Sequence, residues 1–148
     1  MKFSKKSRYG LRALIDLSVH SREEHVSLAS IAKRNSISPQ YLEQVFASLR
    51  RAGIVKSIKG FQGGYLLKRS SSEITVAQIL EALDGNYHIE AEDSPETSEC
   101  RGISVTVQKL VIDEVNRKMD EILQNITLAD LEKDYLENDG YDQNMYYI

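Results

Sequence analysis

The chain has 148 residues, 41% hydrophobic and 28% charged, with a single cysteine. This fits one globular core and excludes an intrachain disulfide. It holds no apolar run near the ~20 residues of a membrane span and no secretory leader pattern, so a cytoplasmic protein is expected. The formal charge of −3 hides a division: residues 1–69 carry 14 Lys+Arg against 4 Asp+Glu, and residues 70–148 carry 5 against 18. A basic head on an acidic body points to a polyanion partner for the head.

A first helix is expected from near Ser4, with Leu11, Leu14, Ile15 and Leu17 inward and Lys5, Arg8 and Arg12 on another face. Lys5 and Lys6 fall in its first turn, where cations oppose the helix dipole, a cost that a phosphate partner would offset. Ser27 caps a short second helix with Leu28, Ile31 and Ala32 inward, and Asn35 is expected to close it in the left-handed conformation.

The third helix has the clearest signals. Ser38 is its cap, Pro39 its first residue, and Gly53 lies just past its end. Leu42, Val45, Phe46 and Leu49 form the core face. The other face carries Ser38, Gln40, Tyr41, Gln44, Ser48 and Arg51, with Glu43 beside them. Helix, short turn and a helix with an amide-rich face make a helix-turn-helix. Glutamine can contact an adenine edge bidentately, and a carboxylate can accept from cytosine while repelling phosphate. Lys5, Lys6, Arg8 and Arg51 are the expected phosphate contacts.

Two short strands follow, over 54–58 and 65–68, around Lys59-Gly60-Phe61-Gln62-Gly63-Gly64. They read as a β-hairpin, the wing of a winged helix, with Lys59 and Gly60 able to approach a minor groove. A phosphate-binding glycine loop is the rival, but the Walker and GxGxxG spacings are absent.

Thr75 and Gln78 form a capping box for a helix ended by Gly85, and residues 86–101, acidic around Pro95, read as a mobile loop. From Gly102 to Asn125, Val107, Leu110, Val111, Val115, Met119, Ile122 and Leu123 make one stripe on a helix roughly 36 Å long. Such a stripe on a small chain points to a second copy, which would set two recognition helices about one DNA turn apart. Thr127 caps a last helix to about Asn138, with Leu128, Leu131 and Tyr135 inward. No catalytic or metal-binding constellation is visible; His20, His25 and His88 are scattered.

The segments SRYGLRALIDLS, SLASIAKRNSISPQYLEQVFASLRRAGIVKSIKGFQGGYLLKR and EITVAQILEALDG resemble the winged-helix family of bacterial regulators that includes IscR, NsrR and CymR. The resemblance covers residues 1–85 almost continuously and the rest more loosely. It rests on YLEQ at Tyr41 to Gln44 and on the wing from Lys59 to Tyr65, where many relatives carry Arg-Gly in place of Lys59-Gly60. It implies homodimers on palindromic operator DNA, with 38–52 as recognition helix and 59–64 as wing. Cluster-binding relatives hold iron–sulfur groups through three cysteines in the loop; here Cys100 stands alone, so no cofactor is expected. Cys100 is either inert or a redox-sensitive thiol. The ending Tyr146-Tyr147-Ile148 is similar to the clusterless branch that represses cysteine and sulfur-uptake genes with cysteine synthase as corepressor. By that resemblance Ile148 docks in the synthase, supported by Tyr146 and Tyr147; the alternative is a tail folded on its own dimer.

The expected architecture is therefore mainly α with a small β-hairpin. A winged helix-turn-helix domain spans 1–85, an acidic sensor-type loop 86–101, and a dimerisation helix, last helix and tail 102–148. The expected function is a non-enzymatic, dimeric repressor of cysteine metabolism genes. A same-fold sensor using Cys100 or a cluster, and a small enzyme or adaptor that carries a winged helix, stand as the other readings.

Overall fold

In the computed structural model, which describes residues 3–93, 99 and 101–146, the helices of the basic half begin on hydroxyl caps. Ser4, Ser27 and Ser38 accept from the backbone N–H of Ser7, Ser30 and Tyr41 at 3.0, 3.2 and 3.2 Å, opening α1 (Lys5–His20), α2 (Leu28–Asn35) and α3 (Pro39–Arg51). Each cap satisfies one orphan donor of its first turn. Gly53, at φ 74°, turns the chain after α3 into the hairpin of β1 (Val55–Ile58) and β2 (Gly64–Leu67). The strands pair antiparallel, Val55 with Leu67 through Ile58 with Gly64. Val26, before α2, adds a third edge: its N–H donates to Tyr65 O at 3.0 Å and its carbonyl accepts from Tyr65 N–H at 2.8 Å. A Cβ on Gly64 would sit 2.5 Å from the Val26 carbonyl oxygen, so this close approach needs glycine.

The core gathers where α1, α2 and α3 meet, around Leu14, Leu17, Ile31, Leu42, Phe46 and Leu49, all fully buried. Phe46 meets Tyr65 of the wing edge-on, with centroids 4.8 Å apart. Next comes α4 (Val76–Asp84), started by the reciprocal Thr75–Gln78 capping box. It crosses α1 at Gly10, where a Cβ would lie 2.2 Å from Leu83 Cδ1.

The left-handed residue between α2 and α3 is Ser36, φ 54°, and not Asn35. The Asn35 amide is engaged inside the fold, donating to Ile31 O at 2.9 Å and Asp16 Oδ2 at 3.0 Å. It therefore stays helical and the next residue makes the turn.

The acidic half departs further from expectation. Its long helix has three parts: α5 (Arg101–Val107), a π-helical turn (Gln108–Ile112) and α6 (Asp113–Leu123). The apolar stripe splits. Met119 and Leu123 pack with Ile126 and Leu131 against a second cluster of Val76, Ala77, Leu80 and Tyr87, whereas Leu110, Val111, Val115 and Ile122 are exposed. The π turn shifts the helical phase between α5 and α6. Across the nineteen positions from Ile103 to Ile122, an ideal α-helix would set the two side chains about 100° apart. One residue inserted by a π turn removes about that much rotation.

Residues 87–92, expected in a mobile loop, are tied to this helix. Asn116 bonds Ile89 on both sides, accepting from its N–H at 2.8 Å and donating to its carbonyl at 3.1 Å. Gln108 accepts from Glu92 N–H at 2.6 Å, and Tyr87 and His88 both reach Asp120. Composition marked the segment as a loop, but backbone groups paired by side chains hold an irregular segment as well as a ladder does.

The last helix, α7 (Leu128–Tyr146), runs beyond Asn138. The Asn138 amide donates to Asp134 Oδ2 at 3.1 Å one turn back, supporting the helix and not capping it. Thr127 does cap its start, accepting from Asp130 N–H at 3.1 Å while Asp130 accepts from Thr127 N–H at 2.9 Å. Hydrogen bonding from the Thr127 backbone N–H, and then from the Thr127 side chain, holds the Asp130 carboxyl below its usual range. Leu128 is fully buried in the first core, and Leu131 is half-buried. Tyr135, expected inward, is exposed at the mouth of an open cavity shared with Arg12, Ile15 and Arg34.

Candidate nucleic-acid interface

Three contacts lay the cationic side of α1 along the helix-turn-helix. At one end, Lys6 Nζ donates to Ser48 Oγ at 3.0 Å, and Arg51 Nη2 donates to the same oxygen at 3.2 Å. In the middle, the Tyr9 ring meets Tyr41 edge-on at 5.6 Å. At the other end, Arg12 Nη2 donates to Asn35 O at 3.0 Å, beside the turn. Lys5 and Arg12 both lie over the Tyr9 ring, at 5.4 and 5.1 Å from its centroid, where the ring quadrupole favours cations. Arg8 packs over Phe3 at 5.3 Å and donates Nε to the Phe3 carbonyl. The cations thus form a positioned ridge beside α3.

Ser48, expected on the reading face, is buried. It accepts from both cations and its hydroxyl donates to Gln44 O at 3.4 Å, so its hydrogen-bonding capacity is used inside the fold. The cost foreseen for Lys5 and Lys6 at the α1 N-terminus is met by the chain itself. Asp84, ending α4, accepts from the Ser4 hydroxyl at 2.6 Å and from the Ser7 hydroxyl, which puts an anion at that helix end.

Ser38, Gln40, Glu43 and Gln44 are exposed on one side of α3, Tyr41 is half-buried among them, and Arg51 is exposed at the helix end. Lys5 and Arg8 are exposed, Lys6 is half-buried, and Lys59 and Gly60 are exposed at the wing tip. Gly60 has φ 130°, a conformation L side chains rarely adopt. The sequence reading named Arg12 without giving it a role and missed Tyr9; both lie one turn from the expected contacts, on the Lys5–Arg8 face. Phe61, read only as a turn residue, is fully exposed at the wing tip. Cys100, Tyr147 and Ile148 lie outside the described residues, and Tyr146 is the last residue of α7.

The second polar cluster sits where α4 gives way to the long helix. Burial, aided by Asp120, pushes the Tyr87 hydroxyl up to about 12. Hydrogen bonds from Tyr87 and then His88 hold the Asp120 carboxyl below its usual range. No group of three or more His, Cys, Asp or Glu suited to a metal ion occurs among the described residues, nor is any helix among them long and apolar enough to cross a membrane.

Comparison with known proteins agrees with this geometry. The family model of Rrf2, described as an iron-dependent transcriptional regulator, matches residues 3–134. The HTH-type transcriptional regulator IscR of Serratia proteamaculans is 37% identical over 131 residues, covering 88% of this chain and 79% of that one. Among solved structures, CymR, the global cysteine regulator of B. subtilis, superposes with a TM-score of 0.74 at 37% identity, covering 90% of this chain and 97% of that one. T. potens IscR superposes with a TM-score of 0.71 at 41% identity, covering 91% and 88%. With the family model matched over residues 3–134 and relatives above 30% identical across most of both chains, the chain belongs to the Rrf2 family of transcriptional regulators.

Proposed function

We propose that the protein is a homodimeric, sequence-specific DNA-binding repressor of cysteine and sulfur metabolism genes, acting with cysteine synthase as corepressor. The observation that carries the DNA reading is the ridge beside α3, Lys6 and Arg51 on Ser48 and Lys5 and Arg12 on Tyr9. It flanks an exposed face of Ser38, Gln40, Glu43 and Gln44. The cations take phosphates and set register, α3 reads base edges in the major groove, and Lys59-Gly60 approaches the flanking minor groove. The exposed α5–α6 stripe pairs two chains, giving the twofold symmetry a palindromic operator needs. Winged helix and dimer helix make the functional units 1–85 and 102–148, joined through 86–101.

Two features support the cysteine branch: similarity to CymR over 97% of that chain and a single thiol. By the resemblance to that branch, Tyr146, Tyr147 and Ile148 form the partner contact. The family description and the IscR relatives raise the question of a cluster. The donor set does not fit one: a dimer of this chain supplies two thiols, and an iron–sulfur cluster normally takes four thiolates.

Two experiments test the reading. Selection from random duplexes by the full chain yields a palindrome, for which Gln40→Ala or Gln44→Ala lowers preference over random DNA by about 1–3 kcal/mol. Arg51→Ala weakens all duplexes alike and shallows the salt dependence by about one phosphate. Equal losses on operator and random DNA for the glutamine variants would reject α3 as the reader. Calorimetric titration of cysteine synthase shows binding that vanishes without Ile148 and is competed by O-acetylserine. No binding by the intact chain rejects the corepressor and turns attention to Cys100.

A further inference from the structure

Phe61 is an apolar side chain that the fold leaves wholly in water. Its exposure is 104% of the reference value, and the other large apolar side chains exposed among the described residues all lie beyond residue 100. It stands at the tip of the β1–β2 hairpin, and that tip is held. Gly63 N–H donates to Gly60 O at 3.1 Å across the turn. His25 Nε2 bonds the Gln62 carbonyl, reaching the tip from the segment before α2. Val26 braces the base of the hairpin through its two bonds with Tyr65. A Cβ on Gly63 would sit 2.6 Å from the Ile58 carbonyl oxygen, so the turn is closed tightly beneath Phe61.

The charge around it identifies the occupant of the space beyond. From Gln44 to Ser72 there is no Asp or Glu, while Arg50, Arg51, Lys56, Lys59, Lys68 and Arg69 fall in that stretch. An aromatic ring on a held hairpin tip, two residues from the exposed Lys59, suits a polyphosphate with stackable rings inside it.

We propose that Phe61 is a wedge: the wing inserts its ring from the minor groove between two base pairs, partly unstacking that step and bending the duplex. This rests on the DNA-binding reading above. Lys59, two residues away, holds the adjoining phosphates while the ring enters. Wedges of this kind unstack the step they enter and bend DNA toward the major groove. Pyrimidine–purine steps such as TA and CA/TG open at least cost. The operator therefore carries such a step beneath each wing, outside the bases read by α3, and specificity arises there without a hydrogen bond to a base.

The test uses the duplex selected by the full chain, with 2-aminopurine placed in turn at each adenine flanking the half-sites. The wild-type dimer raises emission several-fold at one flanking step per half-site. Phe61→Ala has an unchanged circular dichroism spectrum, because the ring packs on nothing, but loses the emission rise and binds about tenfold more weakly. Phe61→Leu keeps much of both. Phe61→Ala with wild-type affinity and wild-type emission overturns the wedge while leaving the regulator reading intact. Loss of dimer mass in Phe61→Ala also overturns it, by making the ring a protein contact. Failure of the chain to select any duplex removes the DNA reading and the wedge with it.

Discussion

Helix α3 and the long helix of the acidic half have similar patterns and opposite fates. Both carry apolar residues at helical spacing. In α3 every member of the stripe, Leu42, Val45, Phe46 and Leu49, is fully buried within the chain. On α6 Met119 and Leu123 pack within the described fold, while Ile103 and Leu110 stay 68% and 65% exposed. The difference teaches that an apolar stripe states a need for burial and not where it is met. A stripe that starts four residues from a cap and is flanked by two other amphipathic helices closes locally. One that continues past the surface it touches leaves its surplus exposed.

The comparison can be broken at its strongest point first. Phe46→Ala removes a fully buried ring that also meets Tyr65, and should cost about 3–5 kcal/mol in chemical unfolding. A cost near zero would mean the two stripes do not differ. On the other side, Leu110→Glu combined with Ile122→Glu should leave unfolding of the single chain within about 0.5 kcal/mol of wild type. The same variant should sediment as a monomer and lose operator binding; an intact dimer would move the interface elsewhere. A smaller effect checks the cap that joins the halves. Thr75→Ala opens the capping box of α4 and should cost about 1 kcal/mol in unfolding.

The smallest effect concerns the junction between α4 and the long helix. Tyr87 is held neutral by burial and by Asp120, with its value raised from 10.0 to about 12. The stabilisation from its neutral form is complete below pH 10.0 and is lost as pH rises toward about 12. Tyr87→Phe should therefore show less loss of stability across that window than wild type in parallel denaturant titrations. Equal losses would place the hydroxyl in water, with the 87–92 segment released from the helix.

Much of the basic half was legible because its signals are local. Ser4, Ser27, Ser38 and Thr75 are caps whose donors lie three residues away, and Pro39 and Gly53 mark the ends of α3 by backbone geometry alone. The exposed polar face of α3 followed by elimination from its core face. Ser48 broke that logic, since a serine on the border between faces is turned inward once Lys6 arrives from α1. Similarly, Tyr9 and Arg12 gained their place beside Tyr41 and Asn35 only when α1 crossed α3.

What the sequence determined by itself was the identity and direction of each early helix, the hairpin and the separation of charge. Those depend on contacts within a few residues and on composition. Tertiary structure alone decided the rest: the π turn inside the long helix, the pinning of 87–92 by Asn116 and Asp120, and the continuation of α7 past Asn138. Close approach at Gly10 and the bare ring of Phe61 belong to the same class. Each depends on which surfaces meet and which are left unmet, and side-chain spacing along one chain does not contain that information.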